Sequence, residues 1–489
     1  MRYHSTRNNS EFVTSAQAII NGIAPDGGLY VPESIPELTP EDFAIIEQGD
    51  YKKTALTVLS KYLTDFSEAE LEEMICAAYA SFEAENVVPL KKLSGNDYSL
   101  ELWHGPTSAF KDVALQILPY FMTASAKKVG LDKTIHIIVA TSGDTGKAAL
   151  EGFKDVEGTK ITVFYPVDGV SDIQKLHMMT QEGENVNVCA IEGNFDAAQT
   201  GVKRIFADAD IANKLSQKGE VLSSANSINW GRLVPQIVYY VHAYSLLKQQ
   251  GEAADGFNVL VPTGNFGNIL AAFYAKRMGV PIRKLICASN KNNVLTDFFE
   301  SGTYNKNREF FQTESPSMDI LISSNLERLL SYVSDCDAEA VSGFMKQLTS
   351  DGKYSVYPEM KARFEEEFFA SSANDEETAA AIKKTFEDTG YLADTHTAVG
   401  IKVCDDYRRV TGDETVTVIA STASPYKFSA AVLGAIEESS ACDDPFELLA
   451  KLEKKSGLPV PKRLAELKTK QVRFKQVCKP SEMSGIVLG

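Results

Sequence analysis

From about residue 96 onward, short apolar runs alternate with longer segments in which apolar residues recur at helical spacing. Most of the runs are β-branched and largely apolar, which is typical of strands buried on both faces. This alternation predicts an α/β fold in which parallel sheets are flanked by helices. The runs predicted to be strands are 98–103, 134–140, 160–165, 185–191, 258–262, 284–288 and 415–420.

The first 95 residues have a different pattern. Apolar residues recur at helical spacing, with acidic residues between them, at 40–48 and 67–85. Residues 24–32 are dense in turn formers and predict a loop with a short extended piece. Residues 1–95 are therefore predicted to be a separate, mainly helical N-terminal domain.

The rest of the chain is predicted to be one core and a tail. The core covers 96–440, and residues 300–390 interrupt its alternation and form an elaborated segment. The tail covers 441–489 and is predicted to contain a helix. Asp444 has the capping chemistry to start that helix, and Gly457 is suited to end it.

The nonapeptide HGPTSAFKD at 104–112 connects a predicted strand to an apolar helical pattern at 113–122. Thr107 or Ser108 is in position to cap that helix, which would place Lys111 in its first turn. The helix dipole disfavours positive charge there and would lower the pKa of the amine, which suits a nucleophile or an imine-forming lysine. The alternative is a solvated surface lysine, which is the commoner case for a lysine considered alone.

The first of three loops at predicted strand ends is TSGDTG at 141–146. Small hydroxylated residues and glycines expose backbone amides at a helix N-terminus, which favours anion binding. The loop is not a P-loop, because Thr141 stands where that motif requires glycine and Ala148 where it requires Ser or Thr. An ordinary strand-to-helix turn is an equally good interpretation.

The second loop is TGNFGN at 263–268, between a predicted strand and an apolar helix. Gly264 and Gly267 allow a backbone wrap in which successive amides point inward and form a nest for a phosphate. The loop does not match the GxGxxG dinucleotide fingerprint, and its size suits one phosphate better than a pyrophosphate. A plain turn is the alternative, but the composition favours a binding function.

Two further segments carry weaker signals. STASP at 421–425 follows the last predicted strand, where a hydroxyl can meet a ring nitrogen or cap a helix. The segment 223–232 offers Ser227, Asn229 and Arg232 as donors for a phosphate or carboxylate. The competing interpretation is that Asn229 and Arg232 brace a loop.

Composition narrows the classes of function. The 489 residues are 44% hydrophobic and 24% charged, as in a folded protein, and the formal net charge of −17 argues against binding to nucleic acid or an anionic membrane. No secretory signal or membrane span is evident, and the seven cysteines are scattered without CxxC, so a cytoplasmic protein with reduced thiols is expected. The six histidines are isolated, and no metal site is predicted.

A candidate imine lysine, a nest for one phosphate and a hydroxyl at a strand end together indicate pyridoxal phosphate as cofactor. The chain also resembles the threonine synthase family of fold-type-II pyridoxal phosphate enzymes, from near residue 1 to about residue 430. The matching stretches are YHSTRN, APDGGLYVP, HGPTSAFKD, ATSGDTG, NSINWGR, PTGNFGN, SPSMDI, DTHTAVG and STASPYKF.

The resemblance implies two α/β subdomains with a cofactor between strand ends. It implies that Lys111 binds the cofactor aldehyde, that the 264–268 loop holds its phosphate and that Thr422 meets its pyridine nitrogen. It also implies that O-phospho-L-homoserine and water are converted to L-threonine and phosphate, the last step of threonine biosynthesis. The implied cofactor ligands are Lys111, Gly264, Asn265, Phe266, Gly267, Asn268 and Thr422, and the implied substrate ligands are Thr141, Ser142, Asp144, Thr145, Ser227, Asn229 and Arg232.

Other functions remain open at this level. One is another fold-type-II enzyme, such as a threonine or serine dehydratase or a cysteine synthase, which would need no second phosphate pocket. Another is a catalytically inactive binding protein on the same fold. A nucleotide-binding, kinase-like protein is disfavoured by the failed P-loop and dinucleotide matches. The sequence is compatible with either a monomer or a homodimer.

Overall fold

The computed structural model describes residues 1–141, 143–167, 170–252, 255–437 and 444–489. Among these residues, no helix combines the length and the apolar character needed to cross a membrane. The predicted boundary between the core and the tail, at 440 and 441, lies outside the described residues.

The N-terminal unit combines helices with a small antiparallel sheet of strand order β2-β1-β3. The predicted helices at 40–48 and 67–85 are present with shorter bounds, and both begin with capping boxes, at Thr39 and Ser67. The sheet is not predicted, because its strands have only three to six residues and too few positions for a period to show. The elements are β1 (Tyr3–Ser5), β2 (Asn8–Val13), α1 (Ser15–Asn21), β3 (Tyr30–Pro32), α2 (Pro40–Ile46), α3 (Tyr51–Tyr62) and α4 (Glu68–Tyr79).

The predicted alternation of strands and helices is confirmed in the first part of the core. The helical pattern at 113–122 belongs to two helices, which are separated at Gln116 and Ile117. The elements are β4 (Leu90–Lys92), β5 (Asp97–Glu101), α5 (Lys111–Leu115), α6 (Leu118–Val129), β6 (Thr134–Ala140), α7 (Asp144–Phe153), β7 (Thr159–Pro166), α8 (Asp172–Met179), β8 (Val186–Ile191), α9 (Phe195–Ala207), α10 (Ala209–Gln217), β9 (Glu220–Ser223), α11 (Trp230–Gln249), β10 (Phe257–Pro262), α12 (Gly267–Arg277) and β11 (Ile282–Ser289).

The later part of the chain is richer in helices, and short 3-10 helices lie at Pro316–Met318, Pro425–Phe428 and Glu466–Lys468. The predicted capping of the tail helix is confirmed, because Asp444 accepts two backbone amides and Gly457 is left-handed. The elements are α13 (Val294–Ser301), β12 (Thr303–Asn305), α14 (Leu326–Val333), α15 (Ala338–Ser350), β13 (Lys353–Ser355), α16 (Pro358–Glu367), β14 (Phe368–Ser372), α17 (Asp375–Thr389), α18 (Thr395–Thr411), β15 (Thr417–Ser421), α19 (Ser429–Ile436), α20 (Pro445–Ser456), α21 (Lys462–Ala465), β16 (Val477–Cys478) and α22 (Met483–Leu488).

Two larger sheets organise the core, as the predicted α/β class requires. The first has the order β16-β8-β7-β6-β9 and is parallel throughout. The second has the order β14-β11-β10-β15-β5-β4, in which only the edge strand β4 is antiparallel. The tail contributes β16 to the edge of the first sheet, so it is partly built into the core rather than only appended to it.

The elaborated segment also contributes to the second sheet. Helix α16 ends at Glu367, and β14 follows at once. β14 then pairs with β11 in parallel. Helix α11 is buried along nearly its whole length and packs against both α3 and α12, so it joins the N-terminal unit to the core.

Candidate active site

Three neighbouring strands of the six-stranded sheet end at the candidate site. β10, β15 and β5 are adjacent and parallel, so their C-terminal ends lie at the same edge. The glycine-rich loop follows β10, the 421–425 segment follows β15 and the 104–112 turn follows β5. Ligands of open parallel sheets bind outside such strand ends. The strand order therefore places the glycine-rich loop, the 421–425 segment and the 104–112 turn at one edge of the sheet.

Lys111 is the first residue of α5. The capping prediction is wrong, because the N-cap residue is Phe110 and no side chain among the described residues caps this helix. Thr107 instead donates both its backbone N–H and its hydroxyl to the Asp112 carboxylate, at 2.7 Å each. Burial raises the pKa of Asp112 to about 6, and the bonds from Thr107 oppose that rise. The Thr107–Asp112 hydrogen bonds thus fix the turn that precedes Lys111.

The Lys111 amine lies at the centre of the site and donates to the Ser317 hydroxyl at 3.2 Å. The side chain is partly accessible, yet the protein removes most of the water around its amine. Burial lowers the pKa of Lys111 to about 8, Asp144 opposes this shift, and the positive charges of Lys427 and Arg232 add to it. A minor but appreciable fraction of the amine is therefore neutral near physiological pH, far more than for an ordinary lysine, which suits a nucleophile.

Thr422 lies beside the lysine turn because the two segments pair through their backbones. The Phe110 N–H donates to the Thr422 carbonyl at 2.8 Å. Ala109 and Ala423 form an antiparallel bridge. The Thr422 side chain is buried beside that turn.

The glycine-rich loop presents unpaired backbone amides. No acceptor in the described part of the chain takes the amides of 264–268, at the start of α12. Phe266 has a φ of 64°, which turns the chain into the left-handed region just before the helix. The Gly264 carbonyl accepts from Ser323 at 2.7 Å, and the Asn265 carbonyl accepts from the Asn325 backbone at 3.1 Å. The carbonyls are therefore held away while the amides stay free, which is the arrangement of an anion nest.

The last two residues of this loop, Gly267 and Asn268, lie at the start of α12. The Tyr240 hydroxyl donates to the Asn268 side-chain carbonyl, whereas the buried Asn268 Nδ2 has no partner among the described residues. Gly267 is the first residue of α12. A buried donor without an acceptor is costly, so Asn268 Nδ2 is suited to an added ligand.

The 141–146 loop belongs to the other sheet, because it follows β6. The Thr141 hydroxyl accepts the amides of Gly143 at 3.0 Å and Gly146 at 2.9 Å. Its own proton remains available to a ligand. Thr145 is partly exposed. Ser142 lies outside the described residues.

The Asp144 carboxylate contacts side chains from two other elements. Its carboxylate pairs with Lys427 at 2.6 Å and accepts from Gln174 at 2.9 Å. Burial opposes ionisation, but the positive charges of Lys427 and Lys111 hold the pKa of Asp144 well below its ordinary value. A fixed negative charge repels a substrate carboxylate. The Asp144 carboxylate is occupied in contacts that hold the loop, and the contact of Asp144 with the substrate carboxylate stays a prediction.

Asn229 is likewise engaged by the protein. Its side-chain oxygen accepts from the Gly231 N–H at 2.9 Å and caps α11. Its side-chain nitrogen donates to the Ile19 carbonyl of the N-terminal unit at 2.9 Å. Both polar ends are occupied, so the geometry favours the bracing interpretation over a contact with substrate phosphate.

Arg232 and Ser227 keep donors for a ligand. Arg232 is buried and donates to the Ala225 carbonyl at 2.6 Å, but its Nε has no partner in the described ranges. Burial lowers the pKa of Arg232 to about 10, so the guanidinium stays positive at neutral pH. The Ser227 hydroxyl accepts from Asn325 at 3.3 Å and has its own proton to donate.

Three residues of this site have no predicted role in the sequence analysis: Ser317, His396 and Lys427. Ser317 contacts the Lys111 amine, His396 accepts the Ser317 backbone N–H at 3.1 Å, and Lys427 pairs with Asp144. A signal was present for all three, since they lie in the stretches SPSMDI, DTHTAVG and STASPYKF. The contacts themselves join residues far apart in the chain and leave no local pattern.

These donors fit pyridoxal phosphate. The Lys111 amine, with its lowered pKa, suits the aldehyde. The free amides of 264–268 and Asn268 Nδ2 suit a phosphate, and both lack protein acceptors among the described residues. The Thr422 hydroxyl is in the segment that pairs with the lysine turn. The residues that would hold the cofactor are Lys111, Gly264, Asn265, Phe266, Gly267, Asn268 and Thr422.

Family models match three consecutive parts of the chain. The model for the threonine synthase N terminus matches residues 2–79. The model for pyridoxal-phosphate-dependent enzymes matches 85–358, and the model for the threonine synthase C-terminal region matches 397–485.

Several curated relatives are similar over most of this chain. The threonine synthase of Schizosaccharomyces pombe is 38% identical over 459 residues, which covers 88% of each chain. The human threonine synthase-like 1 is 42% identical over 435 residues, which covers 86% of this chain. The chain spans 58% of the length of that human relative.

Solved structures agree with the family models. The pyridoxal-phosphate-bound threonine synthase of Brucella melitensis has a TM-score of 0.88 and 37% identity, covering 100% of this chain and 99% of that one. The yeast threonine synthase has a TM-score of 0.89 and 32% identity, covering 99% and 97%. From these matches and the site geometry, the chain belongs to the threonine synthase family of pyridoxal-phosphate-dependent enzymes.

Proposed function

We propose that this protein converts O-phospho-L-homoserine and water to L-threonine and phosphate, with pyridoxal phosphate bound at Lys111. The observation that carries this proposal is the Lys111 amine, whose pKa burial lowers to about 8, at the strand edge shared with the free amides of 264–268. The bound cofactor supplies an electron sink for bonds that break at the substrate carbons.

The protein's own groups hold the cofactor and move protons. The amides of 264–268 and Asn268 Nδ2 bind the cofactor phosphate, and the Thr422 hydroxyl meets the ring nitrogen. A neutral hydroxyl does not enforce protonation of that nitrogen. The freed Nζ of Lys111 takes and returns protons at the α and β carbons of the substrate, for which a pKa near 8 is well matched.

Separate loops hold the two charged ends of the substrate. Thr141 and Thr145, in the loop at the start of α7, bind the substrate carboxylate, and Ser142 is assigned the same role from the sequence alone. Arg232 and Ser227 bind the substrate phosphate, which leaves from the γ carbon before water adds at the β carbon. Asp144 and Asn229 position these loops through the contacts described above.

The decisive experiment measures phosphate release from O-phospho-L-homoserine and identifies threonine as the product. The purified protein with cofactor should be yellow, and borohydride reduction followed by digestion should tag the peptide that contains Lys111. Lys111→Ala should lose the colour, the tag and the turnover. A tag on another peptide would contradict the proposed site, and a tagged protein without turnover would favour the inactive binding protein.

Arg232 distinguishes this function from a dehydratase or a cysteine synthase. Loss of a charged hydrogen-bond donor should raise KM for phosphohomoserine by about 10- to 100-fold in Arg232→Ala, with a smaller rise in Arg232→Lys. Cofactor absorbance and thermal unfolding control for damage to the fold, since Arg232 is buried. An unchanged KM in Arg232→Ala would remove Arg232 from the substrate site.

We propose a cytoplasmic location and a monomeric or homodimeric state. The net charge of −17 and the scattered cysteines support the location. Light scattering of the purified protein at several concentrations distinguishes the two oligomeric states, and a larger assembly would contradict both.

A further inference from the structure

A chain of contacts, buried at His396 and Asp394 and partly buried at Ser317, reaches the Lys111 amine from α18. The Lys111 amine donates to the Ser317 hydroxyl at 3.2 Å. The Ser317 backbone N–H donates to His396 Nε2 at 3.1 Å. His396 Nδ1 lies 2.9 Å from an Asp394 oxygen. None of Ser317, His396 and Asp394 is required by the proposed binding of cofactor or substrate.

The hydrogen bonds determine the form of His396. Nε2 must be unprotonated because it accepts a backbone N–H, so Nδ1 carries the proton and donates it to Asp394. Both side chains are almost fully buried, with 2% and 0% of their surface exposed. Asp394 is itself fixed as the N-cap of α18. The imidazole is therefore held in one tautomer and one orientation.

Ser317 is also fixed from the other side. It lies in the short 3-10 helix Pro316–Met318, and its carbonyl approaches the glycine-rich loop so closely that a Cβ built on Gly264 would be 2.9 Å away. Asn290 holds the preceding Ser315 through its hydroxyl at 3.0 Å. The backbone that carries the Ser317 hydroxyl is thus held from two sides.

We propose that Ser317 is a positioning residue for the Lys111 amine and that His396, oriented by Asp394, holds Ser317 in place. This inference rests on the proposed function, because it assigns a role toward the lysine that binds the cofactor. The Ser317 hydroxyl restrains the free amine, which is the form that reacts with the aldehyde and carries protons. Without that restraint, the amine samples more rotamers and meets the aldehyde less often.

The experiment follows the uptake of pyridoxal phosphate by cofactor-free protein, measured as the rate at which the absorbance band of the bound cofactor grows. Loss of one hydrogen bond should slow uptake by about fivefold in Ser317→Ala and in His396→Leu. His396→Gln retains a side-chain acceptor for the Ser317 N–H and should stay within about twofold of the unmodified protein.

The His396→Gln and His396→Leu pair separates positioning from folding. A merely structural role would impair both variants alike and would lower their thermal unfolding temperatures, which are measured in parallel. The inference would be overturned if His396→Gln and His396→Leu slowed uptake equally. It would also be overturned if Ser317→Ala took up cofactor at the rate of the unmodified protein. If the unmodified protein takes up no pyridoxal phosphate, the proposed function fails first, so the two failures are distinguishable.

Discussion

Lys111 combines two features that rarely occur together in a lysine. It begins a helix, where the dipole disfavours positive charge, and its amine is surrounded by protein and by the charges of Lys427 and Arg232. Asp144 works against these effects and keeps the pKa of Lys111 from falling further. The result is an amine that titrates near neutral pH.

The pH dependence of cofactor uptake tests this environment. Only the neutral amine attacks an aldehyde, so the rate of uptake should rise with pH with a midpoint near 8, instead of near the ordinary 10.5. The same lowered pKa makes stability depend on pH. Lys111 binds its proton more tightly in the unfolded chain than in the folded protein, so the free energy of unfolding of the cofactor-free protein should rise between about pH 8 and pH 10.5.

A matched control uses Lys111→Met, in which the rise in stability over that window should be smaller. Urea unfolding at several pH values measures it. An uptake midpoint near 10 would show that the amine is as exposed as a surface lysine and would contradict the assigned environment.

At the scale of elements, the loop between β10 and α12 places a helix N-terminus next to the lysine turn. The 3-10 helix Pro316–Met318 passes so close to Gly264 that only a residue without a side chain fits. The left-handed Phe266 then directs the chain into α12. The glycine therefore serves close packing, whereas the free amides are the groups proposed to bind the cofactor phosphate.

Gly264→Ala should weaken the binding of pyridoxal phosphate by at least about tenfold. The added Cβ would lie 2.9 Å from the Ser317 carbonyl, a backbone atom, so the loop must move, at a cost of about 1–3 kcal/mol. Titration of cofactor-free protein with pyridoxal phosphate measures the effect.

Gly343→Ala is the matched control for that substitution. Gly343 lies within α15, and a Cβ there would have nothing within 4 Å. Alanine is the better helix former, so this variant should bind cofactor normally and gain about 0.5–1 kcal/mol in free energy of unfolding. Normal cofactor binding by Gly264→Ala would contradict the close-packing role.

At the scale of the whole molecule, the site lies where loops of both parallel sheets meet. The buried pair of Asp144 and Lys427 joins the loop after β6 to the 3-10 helix after β15, at 2.6 Å. The N-terminal unit is attached nearby, because Arg328 donates to the Tyr30 carbonyl at 2.9 Å and also bonds Asn325 beside the glycine-rich loop. The two sheets and the N-terminal unit are thus linked through side chains that surround the site.

Lys427→Met should destabilise the protein, because it leaves the Asp144 carboxylate buried without its cation. The expected loss is about 3–5 kcal/mol in free energy of unfolding, as for other broken buried pairs. The double variant Lys427→Met with Asp144→Asn should recover part of that loss. Urea unfolding of the unmodified protein, Lys427→Met, Asp144→Asn and the double variant gives the coupling energy.

The pH dependence of the same pair has a defined sign. The lowered pKa of Asp144 means that its contribution is present above its ordinary pKa of 3.8 and is lost as pH falls below that value. The difference in free energy of unfolding between the unmodified protein and Lys427→Met should therefore become smaller in acid. A coupling energy near zero at neutral pH would contradict the linking role.

The local sequence pattern by itself determined where many of the strands, turns and helix ends of this protein lie. Strands buried on both faces have to be apolar and short, so the runs at 134–140 and 258–262 could be read directly from the sequence. Turn and capping chemistry is also local, which is why the ends of α20 were predictable from Asp444 and Gly457. Lys111 and the glycine-rich loop could be singled out as candidates because their residue types are unusual for plain connections.

Only the tertiary structure decided how those parts act together. The Lys111–Ser317 contact joins residues 206 positions apart, and the Thr107–Asp112 bonds replace the predicted helix cap. Side chains or carbonyls from other elements contact the side chains of Asp144 and Asn229, which the sequence indicated only as candidate ligands. The physical reason is that hydrogen bonds and ion pairs depend on distance in space, which strand order and packing set, and a local sequence pattern carries no record of it.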